Sequence, residues 1–156
     1  ATGNKSVDES SPDWKDWKRG QVTALLGLLT KRAHALRPNI KVSATGCMPY
    51  SRAYLEAFQD WPSWIERGVV DYVTVMSYSP YPAEFERTIL KAKAKTGDFT
   101  KVNIAIGAYK LVHSPGAFEK EFLFTEKSGA GGFAIFHYGN LIENPALGRY
   151  LIGDRK

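Results

Sequence analysis

Four short runs along the chain are rich in β-branched or aromatic residues and bounded by Gly, Pro or polar groups. They are residues 40–45 (IKVSAT), 71–77 (DYVTVMS), 102–108 (VNIAIGA) and 132–137 (GFAIFH). Such runs predict buried strands. They recur at intervals of about 30 residues, the length of one strand-plus-helix unit. Between them the apolar period changes to that of a helix. From Val22, apolar residues fall at Leu25, Leu26, Leu29, Ala33 and Leu36, a 3.6-residue stripe that Pro38 ends. Upstream, Ser11-Pro12 reads as a cap followed by Pro at the first helical position. Trp14 and Trp17 are placed to share the buried face, with Gly20 as a possible bend.

Further helices are predicted near Ser51, with Tyr54, Leu55 and Phe58, and from Asp60 as N-cap to Gly68. Others run over residues 83–96, from Ser114-Pro115 with Phe118, Phe122 and Leu123 on one side, and from Asn144-Pro145 with Leu147, Tyr150 and Leu151. The order is α-β-α-β-α-β-α-β-α. It predicts an α/β fold of parallel βα repeats. At 156 residues the chain is shorter than a complete (β/α)₈ barrel of about 250 residues. Half of such a barrel and a small doubly wound sheet are the two competing architectures. A half-barrel carries open sheet edges, through which it would self-associate or meet a missing N-terminal half.

Composition narrows the class. With 44% hydrophobic and 24% charged residues, the chain is neither disordered nor collagen-like. The net charge of +5 allows weak attraction to polyanions, but the basic residues are spread along helices, as at Lys91, Lys93 and Lys95. No nucleic-acid partner is expected. Cys47 is the one cysteine, which excludes an intrachain disulfide. The three His match no metal-ligand spacing, and neither a metal nor a cofactor is expected. No apolar run approaches the roughly 18 residues of a membrane span.

In α/β folds ligands sit beyond the carboxyl ends of the strands. That rule selects Gly46 to Pro49, Tyr78 to Tyr81, Tyr109, Lys110 and His113, and His137, Tyr138 and Asn140. Tyr78, Tyr109 and Tyr138 give one Tyr at each of three successive strand ends, a lining of apolar faces and polar tips that suits a sugar. His137 reads either as a donor to a sugar hydroxyl or as a packed ring closing the top of the core. Asp71 opens its strand and is expected at the bottom of the sheet. A glycosidase normally needs two carboxyl groups flanking the bond. No predicted strand ends in Asp or Glu; Glu84 and Asp60 read more simply as helix-start residues.

The stretches WKDWKR (14–19), RPNIKVS (37–43), QDWPSW (59–64), GVVDYVTVMSY (68–78), IGAY (106–109) and GGFAIFHY (131–138) occur in an order that resembles the bacterial glycosyl-hydrolase-like, family-10-like domains. The resemblance covers about residues 12–150. It implies a TIM barrel related to carbohydrate-active enzymes, often exported and linked to cell-envelope glycans. The visible strands would be the fifth to eighth of the barrel. Residues 1–11 would be a leading loop and residues 12–156 the C-terminal half. The resemblance also implies that Gln59, Asp60, Tyr78, Tyr109 and His137 lie on the sugar-facing side, and that the main catalytic carboxylate falls outside this segment. The catalytic residues are therefore unknown, and the segment alone is expected to be inactive. The alternative is a non-catalytic carbohydrate-binding or structural surface module.

Overall fold

A computed structural model describes residues 8–151; residues 1–7 of the expected leading loop and 152–156 of the expected domain lie outside the described residues. The elements in order are α1 (Pro12–Leu36), β1 (Ser43–Cys47), α2 (Tyr50–Leu55), α3 (Trp61–Glu66), β2 (Tyr72–Ser77), α4 (Pro82–Lys93), β3 (Val102–Ile106), α5 (Pro115–Lys127), β4 (Gly132–Ile135) and α6 (Tyr138–Glu143). Short 3₁₀ turns cover Phe99–Lys101, Ala108–Lys110 and Pro145–Tyr150.

The four strands form one sheet in the order β1-β2-β3-β4, and every neighbouring pair is parallel. A doubly wound sheet reverses its strand order to place helices on both faces. Here the order never reverses, and burial shows where the helices lie. Val73, Val75, Val102, Ile104 and Ile106 are buried with Trp61 and Trp64 of α3, Phe85 and Ile89 of α4, and Phe118 and Phe122 of α5. The other face carries Ser43, Thr45, Thr74, Met76 and Asn103, none of them buried. One covered and one open face, wound in one direction, is part of a TIM-barrel-like fold.

Close packing against the sheet fixes β1. An added Cβ at Gly46 would stand 2.9 Å from the Trp61 indole, so a bare position lets α3 sit down on the strand. This moves β1 toward its C-terminus relative to the sequence reading: Gly46 and Cys47 belong to the strand, and Ile40 lies before it. At the base, Asp71 accepts hydrogen bonds from the Val42 amide at 2.7 Å, His34 Nε2 at 3.2 Å and Lys41 Nζ at 3.2 Å. The backbone bond and the cationic partner hold its carboxyl below the usual range. One side chain thereby ties α1, the approach to β1 and the approach to β2.

Several helical expectations need correction. Ser11 does cap α1, accepting from the Trp14 amide at 3.2 Å, but Gly20 lies within an uninterrupted helix. Leu25, Leu29, Leu36 and Trp17 are exposed; Val22 and Leu26 make the packing contacts instead. The 3.6-residue period identified the helix but not which flank of the stripe would be covered. Asp60 stands at the N-cap position of α3 without capping it, because its carboxylate accepts from the Tyr50 hydroxyl at 2.8 Å. The strand predicted over 132–137 ends at Ile135, and α6, which sequence reading missed, begins at Tyr138.

Candidate functional site

Because all four strands point the same way, their C-terminal ends share one rim. Residues of even number on β2 and β4 and of odd number on β3 face the open side, as the paired register Thr74, Asn103 and Gly132 shows. Continuing that alternation past the strand ends brings Tyr78, Gly107 and Phe136 to the same side. Tyr78 and Phe136 come from strands that are not neighbours, yet their rings stack with centroids 5.4 Å apart and planes 18° from parallel. They meet across Gly107, where an added Cβ would lie 3.0 Å from the Tyr78 Cβ. Tyr109 completes the cluster edge-on, 5.7 Å from Tyr78 and 6.1 Å from Phe136. These spacings fall within the favourable range for aromatic pairs.

The cluster is half open. Tyr109 is 44% and Phe136 51% exposed, so each presents ring surface to solvent. Burial, with a smaller contribution from Tyr109, pushes the Tyr78 phenol above its ordinary range and keeps it a hydroxyl donor at neutral pH. Lys110, one of the residues expected at the strand ends, donates from Nζ to the Tyr78 carbonyl at 2.7 Å and fastens the end of β3 to the end of β2.

His137 packs edge-on against Phe136, with centroids 5.6 Å apart, and is exposed rather than closing the core. Its Nδ1 accepts from the Gly139 amide at 3.1 Å. A neutral imidazole with Nδ1 as acceptor carries its proton on Nε2. The local structure therefore sets the tautomer and leaves Nε2–H as a free donor beside the rings. Asn140 is buried; its Oδ1 accepts from the His137 amide at 3.2 Å and its Nδ2 donates to Glu143 at 3.3 Å. Its work is to hold the start of α6. Tyr138 is 72% exposed and outside the ring cluster. Phe136 occupies the third place expected for it, because the chain turns into α6 at residue 138. Strand parity would have singled out Phe136, which sequence reading treated only as a neighbour of His137.

Gln59 and Asp60 flank the β1 end of the rim. Gln59 Oε1 accepts from the Cys47 amide at 2.8 Å and covers the strand terminus. The Tyr50 hydroxyl bonded to Asp60 is raised above its ordinary range by burial and by that carboxylate. Glu84, in the first turn of α4, accepts from Ser79 Oγ at 2.8 Å. The acids at this end are thus engaged by hydroxyl or amide donors. Among the described residues no group of three or more His, Cys, Asp or Glu is placed to hold a metal ion, and no helix is long and apolar enough to cross a membrane.

A glycosyl hydrolase-like 10 family model matches residues 2–123, from ahead of α1 through most of α5. The chain belongs to that family. The match takes in Tyr78, Gly107 and Tyr109, while Phe136 and His137 on the β4 side lie beyond it. No curated protein and no solved structure matches the chain.

Proposed function

We propose that this chain supplies the sugar-facing rim of a glycoside hydrolase acting on a polysaccharide or cell-envelope glycan. The segment 12–156 serves as the second half of the barrel, and the main catalytic carboxylate comes from outside it. The observation that carries the reading is the cluster of Tyr78, Tyr109 and Phe136 built across Gly107, with the His137 Nε2–H beside it. Sugar rings have apolar CH faces that stack on aromatics and hydroxyls that need directional partners. Tyr109 and Phe136 offer the first, and Tyr78, Tyr109 and His137 the second. Gln59, Asp60, Tyr138 and Asn140 border the same rim and act as outer contacts or supports.

The half-barrel assignment is supported by the uncovered surfaces beside β1. Among the described residues no strand pairs with its outer edge, and Leu25, Leu28, Leu29 and Leu36 of α1 are exposed. A neighbouring strand and helix would cover both. Glycosidic cleavage needs two carboxyl groups about 5 to 9.5 Å apart across the bond. Asp60, Glu84 and Glu143 each accept a hydrogen bond from a neighbouring hydroxyl or amide, and no strand ends in a carboxylate aimed across the rim, so the role read for this rim is to bind and orient. The same fact favours the second reading, a non-catalytic carbohydrate-binding module.

Titration of the chain with neutral oligosaccharides, followed by tyrosine fluorescence, tests the rim. Tyr109→Ala and Phe136→Ala are each expected to weaken binding by about 1 kcal/mol or more, near tenfold at the upper end, with the fold retained. Binding unchanged in both variants would remove the rim from the site. Hydrolysis by a longer protein containing this segment, abolished by loss of one acid, decides for the enzyme over the binding module.

A further inference from the structure

Outside the rim, a groove of about 820 Å³ runs between α2 and α4 on the helical side of the molecule. One wall carries Arg87 and Lys91, one helical turn apart on α4, and Lys95 in the turn that follows it. From the helical rise, the row spans about 12 Å. The facing wall is Tyr50, Tyr54 and Leu55 of α2, and Ser51 and Thr88 add hydroxyls. All three cations are exposed, and none forms an ion pair among the described residues. The two acids in the groove keep their charge, so its lining carries an excess of one cation, and the three cations follow one another along one wall. Asp60 is bound by the Tyr50 hydroxyl and Glu84 by Ser79.

The geometry points to a second binding site for a linear anionic glycan, one bearing a carboxylate or phosphate on its repeating units. Three unpaired cations in a row match a periodic anion, and the hydroxyls along the groove match its sugars. Single-stranded nucleic acid would need open ring faces for its bases. Here Lys95 already lies 5.5 Å from the Tyr50 ring centroid and Arg19 lies 3.8 Å from that of Tyr54. Glu84 at the start of α4 and Pro49 after β1 belong to both the groove and the rim side, so a chain leaving the rim can continue down the groove. That the polyanion is a glycan rests on the reading of the rim; the cationic row does not.

The test is calorimetric titration of the whole chain with an oligogalacturonate, a glycerol-phosphate polymer, a neutral galactan oligomer and a single-stranded oligonucleotide of equal charge. The groove is expected to bind the first two, the better of them identifying the anion. Binding should weaken as salt rises. Combined Arg87→Gln, Lys91→Gln and Lys95→Gln substitution is expected to weaken it by about tenfold or more. Lys120→Gln, an exposed cation of α5 outside the groove, should leave it unchanged. Anionic binding retained while the neutral oligomer fails to bind would sink the rim reading and uphold the groove. The proposal is overturned if the triple variant binds the anionic glycans as well as the parent, if the neutral oligomer competes for the groove equally, or if the oligonucleotide binds more tightly than either anionic glycan.

Discussion

The two faces of the sheet differ sharply although the same four strands build both. On the helical face, β2 and β3 present Val73, Val75, Val102, Ile104 and Ile106, all buried beneath α3, α4 and α5. On the open face the same strands present Thr74, Met76 and Asn103, and β1 adds Ser43 and Thr45. Parallel strands covered on both faces usually read as continuous apolar runs. β1 and β2 alternate, and β3 does so except at Ala105, which is buried on the open face, so the helical face is apolar and covered while the open face is mostly polar. Stability is concentrated on one side of the strands, which leaves the other side and its rim open to polar ligands.

Four substitutions can break or sharpen that contrast. The largest effect is expected at Glu121, the one carboxyl among the buried described side chains. It lies on the sheet-facing side of α5 with neither oxygen hydrogen-bonded to a described residue, and burial pushes its carboxyl up to about 8 from 4.5. The folded form holds the proton through a range in which the unfolded chain has lost it. Stability is therefore full below about pH 4.5 and falls as pH rises toward about 8. The full fall is on the order of 4 to 5 kcal/mol. Glu121→Leu should flatten the profile, as read by urea unfolding at several pH values; an unchanged slope would show that the carboxyl ionises freely.

Next comes Trp61→Ala on the same face. It empties the contact with Gly46 and should cost about 3 to 5 kcal/mol, seen as a lower midpoint in denaturant with no change in slope. At the base of the sheet, Asp71→Ala removes the acceptor for the Val42 amide and should cost about 1 to 2 kcal/mol, again by denaturant unfolding. On the open face, Thr74→Val is expected to change stability by no more than about 0.5 kcal/mol. A loss as large as that at Trp61 would mean that the open face is packed as tightly as the other.

The architecture was legible because its signals are local and repeated. Strand runs about 30 residues apart, with Pro or Gly punctuation between them, fixed the βα alternation and hence the shared rim. Three kinds of detail were not legible. The stripe on α1 has apolar residues on more than one flank, and only tertiary contact selected Val22 and Leu26 over Leu25 and Leu29. The extent of β1 through Gly46 and Cys47 goes with the fit of Trp61 over Gly46, a contact between residues fifteen positions apart. At the rim, three Tyr at three strand ends suggested equivalence, but side-chain direction is set by pleat parity and by where each strand gives way to a helix. That parity brought Tyr78 and Phe136 together, while α6 carried Tyr138 away.

Gly107 has a consequence that reaches the margin of the sheet. β4 is a four-residue strand with one bonded neighbour among the described residues, the kind of element that frays first. The stacked rings bridge over β3 and give β4 a second attachment, to the end of β2. A methyl group at position 107 would crowd Tyr78 and prise the bridge apart, so a side chain missing from the middle strand governs how firmly the outermost one is held.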